Sequence, residues 1–205
     1  MILIAASVEL LLPTIRSRCQ VLPFQPLAAR DVKRILARTS DVPLPEDVDS
    51  IIALCEGSLI TANQLLDPEL RRQRQALYEG LSQPRYDSLK LVDYAKSVAE
   101  GTTTVKAGQR SQAGWMIRFC IEFYRQSLLT VAGADSKTGV FPEVKQFLTR
   151  FPQWSVELLD RLAELLDRCL LADRQIEGNA SLAICLEALF DDLGKLLREP
   201  IANSD

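Results

Sequence analysis

From Trp115 to Val131 the apolar side chains recur with the period of an α-helix for nearly five turns. Trp115, Met116, Phe119, Cys120, Phe123, Ser127, Leu128 and Val131 fall on one face. A stripe this long and this aromatic needs several other apolar faces to cover it, which commits the chain to a helical bundle. Aromatic rings in a row also make base-stacking platforms. No arginine lies on the stripe itself, so it is assigned to the core.

The covering faces follow from the same period. Asp87 caps a helix whose inward face is Leu91, Val92, Ala95, Val98 and Ala99. Gly101 to Gln112 is polar and reads as a loop. After a loop at Gly133–Gly139, a short helix is centred on Val144, Phe147 and Leu148. Ser155 caps a long helix bearing Leu159, Leu162, Leu166, Cys169 and Leu170. Asn179 opens the last, with Leu182, Cys185, Leu186, Leu189, Leu193 and Leu196 at helical spacing.

Upstream, residues 25–66 form a smaller helical unit. Val32, Ile35 and Leu36 share a face within Asp31–Arg38. Val42-Pro43-Leu44-Pro45 breaks the chain. Val48, Ile51, Ile52 and Cys55 mark a second helix, which Gly57 terminates, and Ser58 caps a third through Leu66. Asp67-Pro68 starts a further helix to Leu81, with Arg71, Arg72 and Arg74 on a solvated face. Before all of this come Ile2–Ala6 and Val21–Phe24, two apolar runs that read as strands of a parallel sheet. Between them Pro13 opens a basic helical turn carrying Arg16 and Arg18.

Composition narrows the chemistry. With 205 residues, 47% apolar, the chain can bury one large core or two small ones. No apolar run is long enough to span a membrane and no signal sequence is evident, so a cytoplasmic protein is expected. The net charge of −3 gives no general attraction to nucleic acid. Histidine is absent, which removes Ser-His and Cys-His nucleophiles and imidazole ligands. Five cysteines without a CxxC spacing read as reduced thiols, not as a metal site or disulfide framework. The acid pairs Glu46-Asp47 and Asp191-Asp192 read as a helix start and a solvated helix face. No GxxxxGK[ST] run occurs, so neither a nucleotide cradle nor a cofactor is expected.

The segment Leu12-Pro13-Thr14-Ile15-Arg16-Ser17-Arg18-Cys19-Gln20 resembles the sensor-1 and Ser-Arg-Cys segment of clamp-loader subunits, AAA+ proteins that load the sliding clamp of a DNA polymerase. Phe24-Gln25-Pro26-Leu27 is similar to that family's exit into its lid. Asn179–Leu189 resembles the closing helix of its collar domain. The resemblance implies a mainly all-α chain in three parts. A remnant of the AAA+ α/β domain spans 1–24, a three-helix lid 25–82, and a helical collar, the oligomerisation domain, 83–205. It implies that Arg18 is an arginine finger offered in trans to ATP in a neighbouring subunit, with Thr14, Ser17 and Cys19 as motif support. Most of the nucleotide-binding domain would then lie outside this chain.

ATPase members of the family place an arginine three residues after the lid glycine. Here that position is Ile60, which cannot pair with phosphate and is expected in the helix core. The chain thus resembles the non-hydrolysing, delta-prime type of DNA polymerase III, with no catalytic site of its own. Its implied partners are the delta and gamma/tau subunits, with the clamp and primer-template DNA reached through the complex, and no membrane. The alternatives are a truncated gamma/tau-type ATPase subunit and a generic all-helical interaction module. The isolated chain is expected to show no saturable Mg-ATP binding in equilibrium dialysis, and micromolar affinity would refute this.

Overall fold

The computed structural model describes residues 2–4, 11–39, 43–45, 48–101, 105–134, 141–151, 153–178 and 180–199. These residues are mainly helical and contain no strand. The helices are α1 (Pro13–Arg16), α2 (Ala29–Thr39), α3 (Val48–Leu54), α4 (Leu59–Leu65), α5 (Pro68–Ser82), α6 (Ser88–Gly101), α7 (Lys106–Val131), α8 (Pro142–Leu148), α9 (Val156–Glu177) and α10 (Leu182–Arg198).

Helix starts follow local chemistry. The Ser58 hydroxyl accepts the Thr61 N–H at 3.3 Å, and Ser155 accepts that of Leu158 at 3.4 Å. Asp67 accepts the N–H of Glu69 at 2.9 Å, with Pro68 in the first turn of α5. Asp87 accepts the N–H of Lys90 at 3.2 Å. Each such contact satisfies a donor that the helix itself leaves unpaired. Asn179 lies outside the described residues, and Ser181 occupies the N-cap of α10.

Helices α2–α4 pack on one another around Val32, Leu36, Ile51, Ala62 and Leu65, all at most 1% exposed. The larger bundle is built on α7, whose most extensive seam is with α9; α6 and α10 cover a second side, and α5 and α8 a third. Phe123 sits at the meeting point. Its ring lies 5.1 Å from Tyr78 of α5, 5.3 Å from Phe147 of α8 and 5.4 Å from Tyr124, all edge-to-face. Such pairs add about 0.5–1.5 kcal/mol each beyond their burial. The stripe from Trp115 to Ser127 is therefore core, and Leu128 and Val131 are partly buried at its end. By its contacts, α5 lies against α6, α7 and α8 as well as α4.

Several expectations are corrected. Ile2, Leu3 and Ile4 form no strand and are exposed; Ala5 and Ala6 lie outside the described residues. Val21–Phe24 is irregular and exposed, because no strand among the described residues takes its N–H and C=O groups. The polar stretch expected as a loop is helical from Lys106. The Arg110 guanidinium donates to the carbonyls of Ile176 and Ala180, both at 3.0 Å, and so fixes the first turns of α7 to the end of α9. On α9 the core positions are Leu158, Leu162, Leu165, Cys169, Ala172 and Ile176, while Leu159, Leu166 and Leu170 are only half-buried. Arg74 is not solvated: it is 5% exposed, with its guanidinium over the Phe141 ring at 4.8 Å.

Gly57 joins the N-terminal segment to the α3–α4 turn. It has φ +82°, and its carbonyl accepts the Leu27 N–H at 3.2 Å. A methyl group there would lie 2.6 Å from the Leu27 carbonyl oxygen and 2.7 Å from the Pro26 Cβ. Gly57→Ala is therefore expected to cost at least about 1–2 kcal/mol from the left-handed backbone alone. It should also speed amide exchange at Leu27. Unchanged denaturation and exchange would mean that the segment does not dock at this turn.

Candidate functional site

α1 is a single turn. Pro13 opens it, and the Ile15 and Arg16 N–H groups both donate to the Leu12 carbonyl, at 2.9 and 3.0 Å. Ser17 closes it: its N–H donates to the Pro13 carbonyl at 2.9 Å and its hydroxyl to the Thr14 carbonyl at 3.3 Å. The Arg18 and Cys19 N–H groups extend the coil, reaching Ile15 at 3.1 Å and Arg16 at 3.4 Å. The four predicted residues thus lie on one compact loop, with Thr14 and Ser17 in contact. No residue of α1 is buried.

Arg16 and Arg18 are both exposed, and neither forms an ion pair among the described residues. Nothing in the turn screens or spends either guanidinium. An arginine presented in this way can only act on a group brought to it, since a bidentate hold needs a facing carboxylate or phosphate. The chain supplies no such group to Arg18 among the described residues.

Ile60 is corrected from a core position to an exposed one, at 76%. The Ser58 cap fixes the phase of α4, which turns Ala62 and Leu65 inward and Ile60 to the opposite side. Its lack of a donor is unaffected by this change. Asp191 and Asp192 are structural: Asp192 accepts from Arg168 at 2.8 Å, and Lys195 pairs with both acids at 2.8 and 3.2 Å. Partial burial pushes the Asp192 carboxyl up, but the hydrogen bonds from Arg168 and Lys195 outweigh it and hold the group below the usual carboxylate range. Glu46 and Asp47 lie outside the described residues. Among the described residues no cluster of acids and thiols could hold a metal ion, and no helix is long and apolar enough to cross a membrane.

The arginines whose tertiary contacts the sequence did not reveal are Arg110, Arg74 and Arg150. Each is positioned by a tertiary partner far away in the chain: the α9 terminus, Phe141, and for Arg150 the Leu81 carbonyl at 3.2 Å. No local pattern encodes such partners. No protein-family model matches this chain, and no curated protein or solved structure matches it either.

The thiols report on the same geometry. Cys19 is exposed, while Cys55, Cys120, Cys169 and Cys185 are buried, and burial pushes the Cys169 and Cys185 thiols up. Titration of the native protein with a thiol-reactive disulfide should show a single fast-reacting group, lost in Cys19→Ser, with the remainder reacting only in denaturant. More than one fast thiol in the native state would contradict this burial pattern.

Proposed function

We propose that this chain is part of a non-hydrolysing, delta-prime-type subunit of the bacterial DNA polymerase III clamp loader. In this role it joins delta and gamma/tau subunits through its helical domain and offers Arg18 in trans to ATP bound next door. The observation that carries the proposal is the state of Arg18: exposed, without an ion partner among the described residues, and flanked by uncovered apolar side chains. Ile2, Ile4, Leu22 and Phe24 are 91%, 97%, 70% and 97% exposed. Apolar groups of this kind call for cover. The remainder of an AAA+ domain and a neighbouring subunit would provide it.

Ile60 favours the non-hydrolysing type. It is exposed at the start of α4, where a phosphate-facing arginine would stand in an ATPase member, and it offers neither charge nor donor. Reaching a neighbour's nucleotide with Arg18 while holding none itself gives the chain a positioning task. Clamp and primer-template DNA would be engaged through the assembly.

The test is ATP turnover by the reconstituted loader in the presence of clamp and primed DNA. A lost arginine finger costs about 10³–10⁵ in rate at its own site, and a loader with several sites should lose less overall. Arg18→Ala is expected to lower turnover without weakening assembly. Arg18→Lys should rescue poorly, because a point charge does not reproduce the planar fork. Arg16→Ala, an equally exposed neighbour, should behave as wild type. Turnover that is indifferent to Arg18 would remove the proposed role.

A further inference from the structure

The α5–α6 connection, the end of α8 and the end of α10 enclose a cleft of about 460 Å³. Pro84, Arg85, Tyr86, Arg150, Phe151 and Arg198 line it, and no carboxylate does. None of the three arginines forms an ion pair among the described residues. Arg150 is fixed in place: one nitrogen donates to the Leu81 carbonyl at 3.2 Å and its guanidinium lies 5.1 Å over Phe147. Its buried Nε makes no hydrogen bond among the described residues. Arg198 reaches the same place from α10, since its Nη1 and the Tyr86 ring both lie about 3.2 Å from where a Cβ on Gly194 would stand.

A second cleft of about 840 Å³ shares Pro84, Arg85, Tyr86 and Arg198 with the first and continues to Lys90 and Tyr94. Its acid, Asp87, is already engaged by the Lys90 N–H at 3.2 Å and the Lys90 ammonium at 3.6 Å. The two clefts share four lining residues and together form one open trough lined by Arg85, Lys90, Arg150 and Arg198 and by the half-buried rings of Tyr86, Tyr94 and Phe151.

We infer that this trough binds a short stretch of single-stranded nucleic acid, with phosphates on Arg85, Arg150 and Arg198 and bases against the aromatic lining. Guanidinium forks match phosphate oxygens two at a time. Rings beside a basic track stack any base. The open, two-cleft length suits a strand better than a single nucleotide, and an aromatic lining suits bases better than an acidic peptide. The net charge of −3 gives no attraction from the rest of the chain, so the affinity is local and weak, on the order of 10⁻⁵ M at low salt. The inference rests on the trough alone and is independent of the clamp-loader proposal.

Fluorescence anisotropy of the full chain with a labelled deoxythymidine oligomer of about 12 nucleotides tests it. Saturable binding is expected, with a slope of log affinity against log salt of about −2 for three phosphates. Arg85→Glu and Arg198→Glu, at exposed positions, should each weaken binding at least about tenfold. Arg38→Glu on α2 should leave it unchanged. Unlabelled oligomer should displace the probe; ATP and a polyglutamate peptide at matched charge should not. The inference is overturned by absence of binding, by affinity insensitive to Arg85 and Arg198, or by equal displacement with polyglutamate or ATP.

Discussion

Phe123 is the point at which the larger bundle is held together. Its ring contacts aromatic residues of α5 and α8 and one further along α7, while the rest of the α7 stripe runs along α9. The three helices, already in mutual contact, thus share a single desolvated cluster. Removing a buried ring of this size costs about 3–5 kcal/mol, a large part of what a domain has in hand. The polar groups nearby are arranged around it. Glu122, 5% exposed, takes two bonds from Arg125 at 2.7 and 2.9 Å and one from Gln126 at 2.9 Å. Gln126 in turn accepts the Phe141 N–H at 3.4 Å, so the buried charge also ties down the start of α8.

Much of this was legible from the chain itself, for a definite reason. Helical period is a local property, and the stripes on α6, α7 and α10 report their buried faces directly. Cap residues are local too, which is why Ser58, Asp67, Asp87 and Ser155 mark true helix starts. The misreadings have one common cause: their outcome is decided by partners elsewhere. Lys106–Gln112 looked like a loop because it is polar, yet Arg110 ties it to α9. Arg74 looked solvated because its neighbours are charged, yet Phe141 covers it. Ile2–Ile4 and Val21–Phe24 looked like strands because they are apolar, but a strand exists only when another pairs with it. Ile60 went to solvent because the Ser58 cap, and not its own side chain, set the phase of α4.

The candidate site was legible only in its residues. The resemblance to the Ser-Arg-Cys segment singled out Thr14, Ser17, Arg18 and Cys19, and they lie along one short coil. Among the described residues no group pairs with either arginine of the turn, and no spacing within the segment encodes what would.

The docking of Leu27 on Gly57 has a mechanical consequence. Between Cys19 and Leu27 the chain makes no helix or strand, and the first backbone bond to the α2–α4 unit is the one at Leu27. Nine residues of extended chain span at most about 30 Å. The Gly57 contact is thus an anchor bolt, and the stretch above it a leash of defined length. For any surface that grips the α2–α4 unit, meeting the Arg18 guanidinium becomes an intramolecular event at an effective concentration in the millimolar range. Lengthening the leash would dilute the guanidinium, and shortening it below the span would withdraw it, with no change to the chemistry of the arginine.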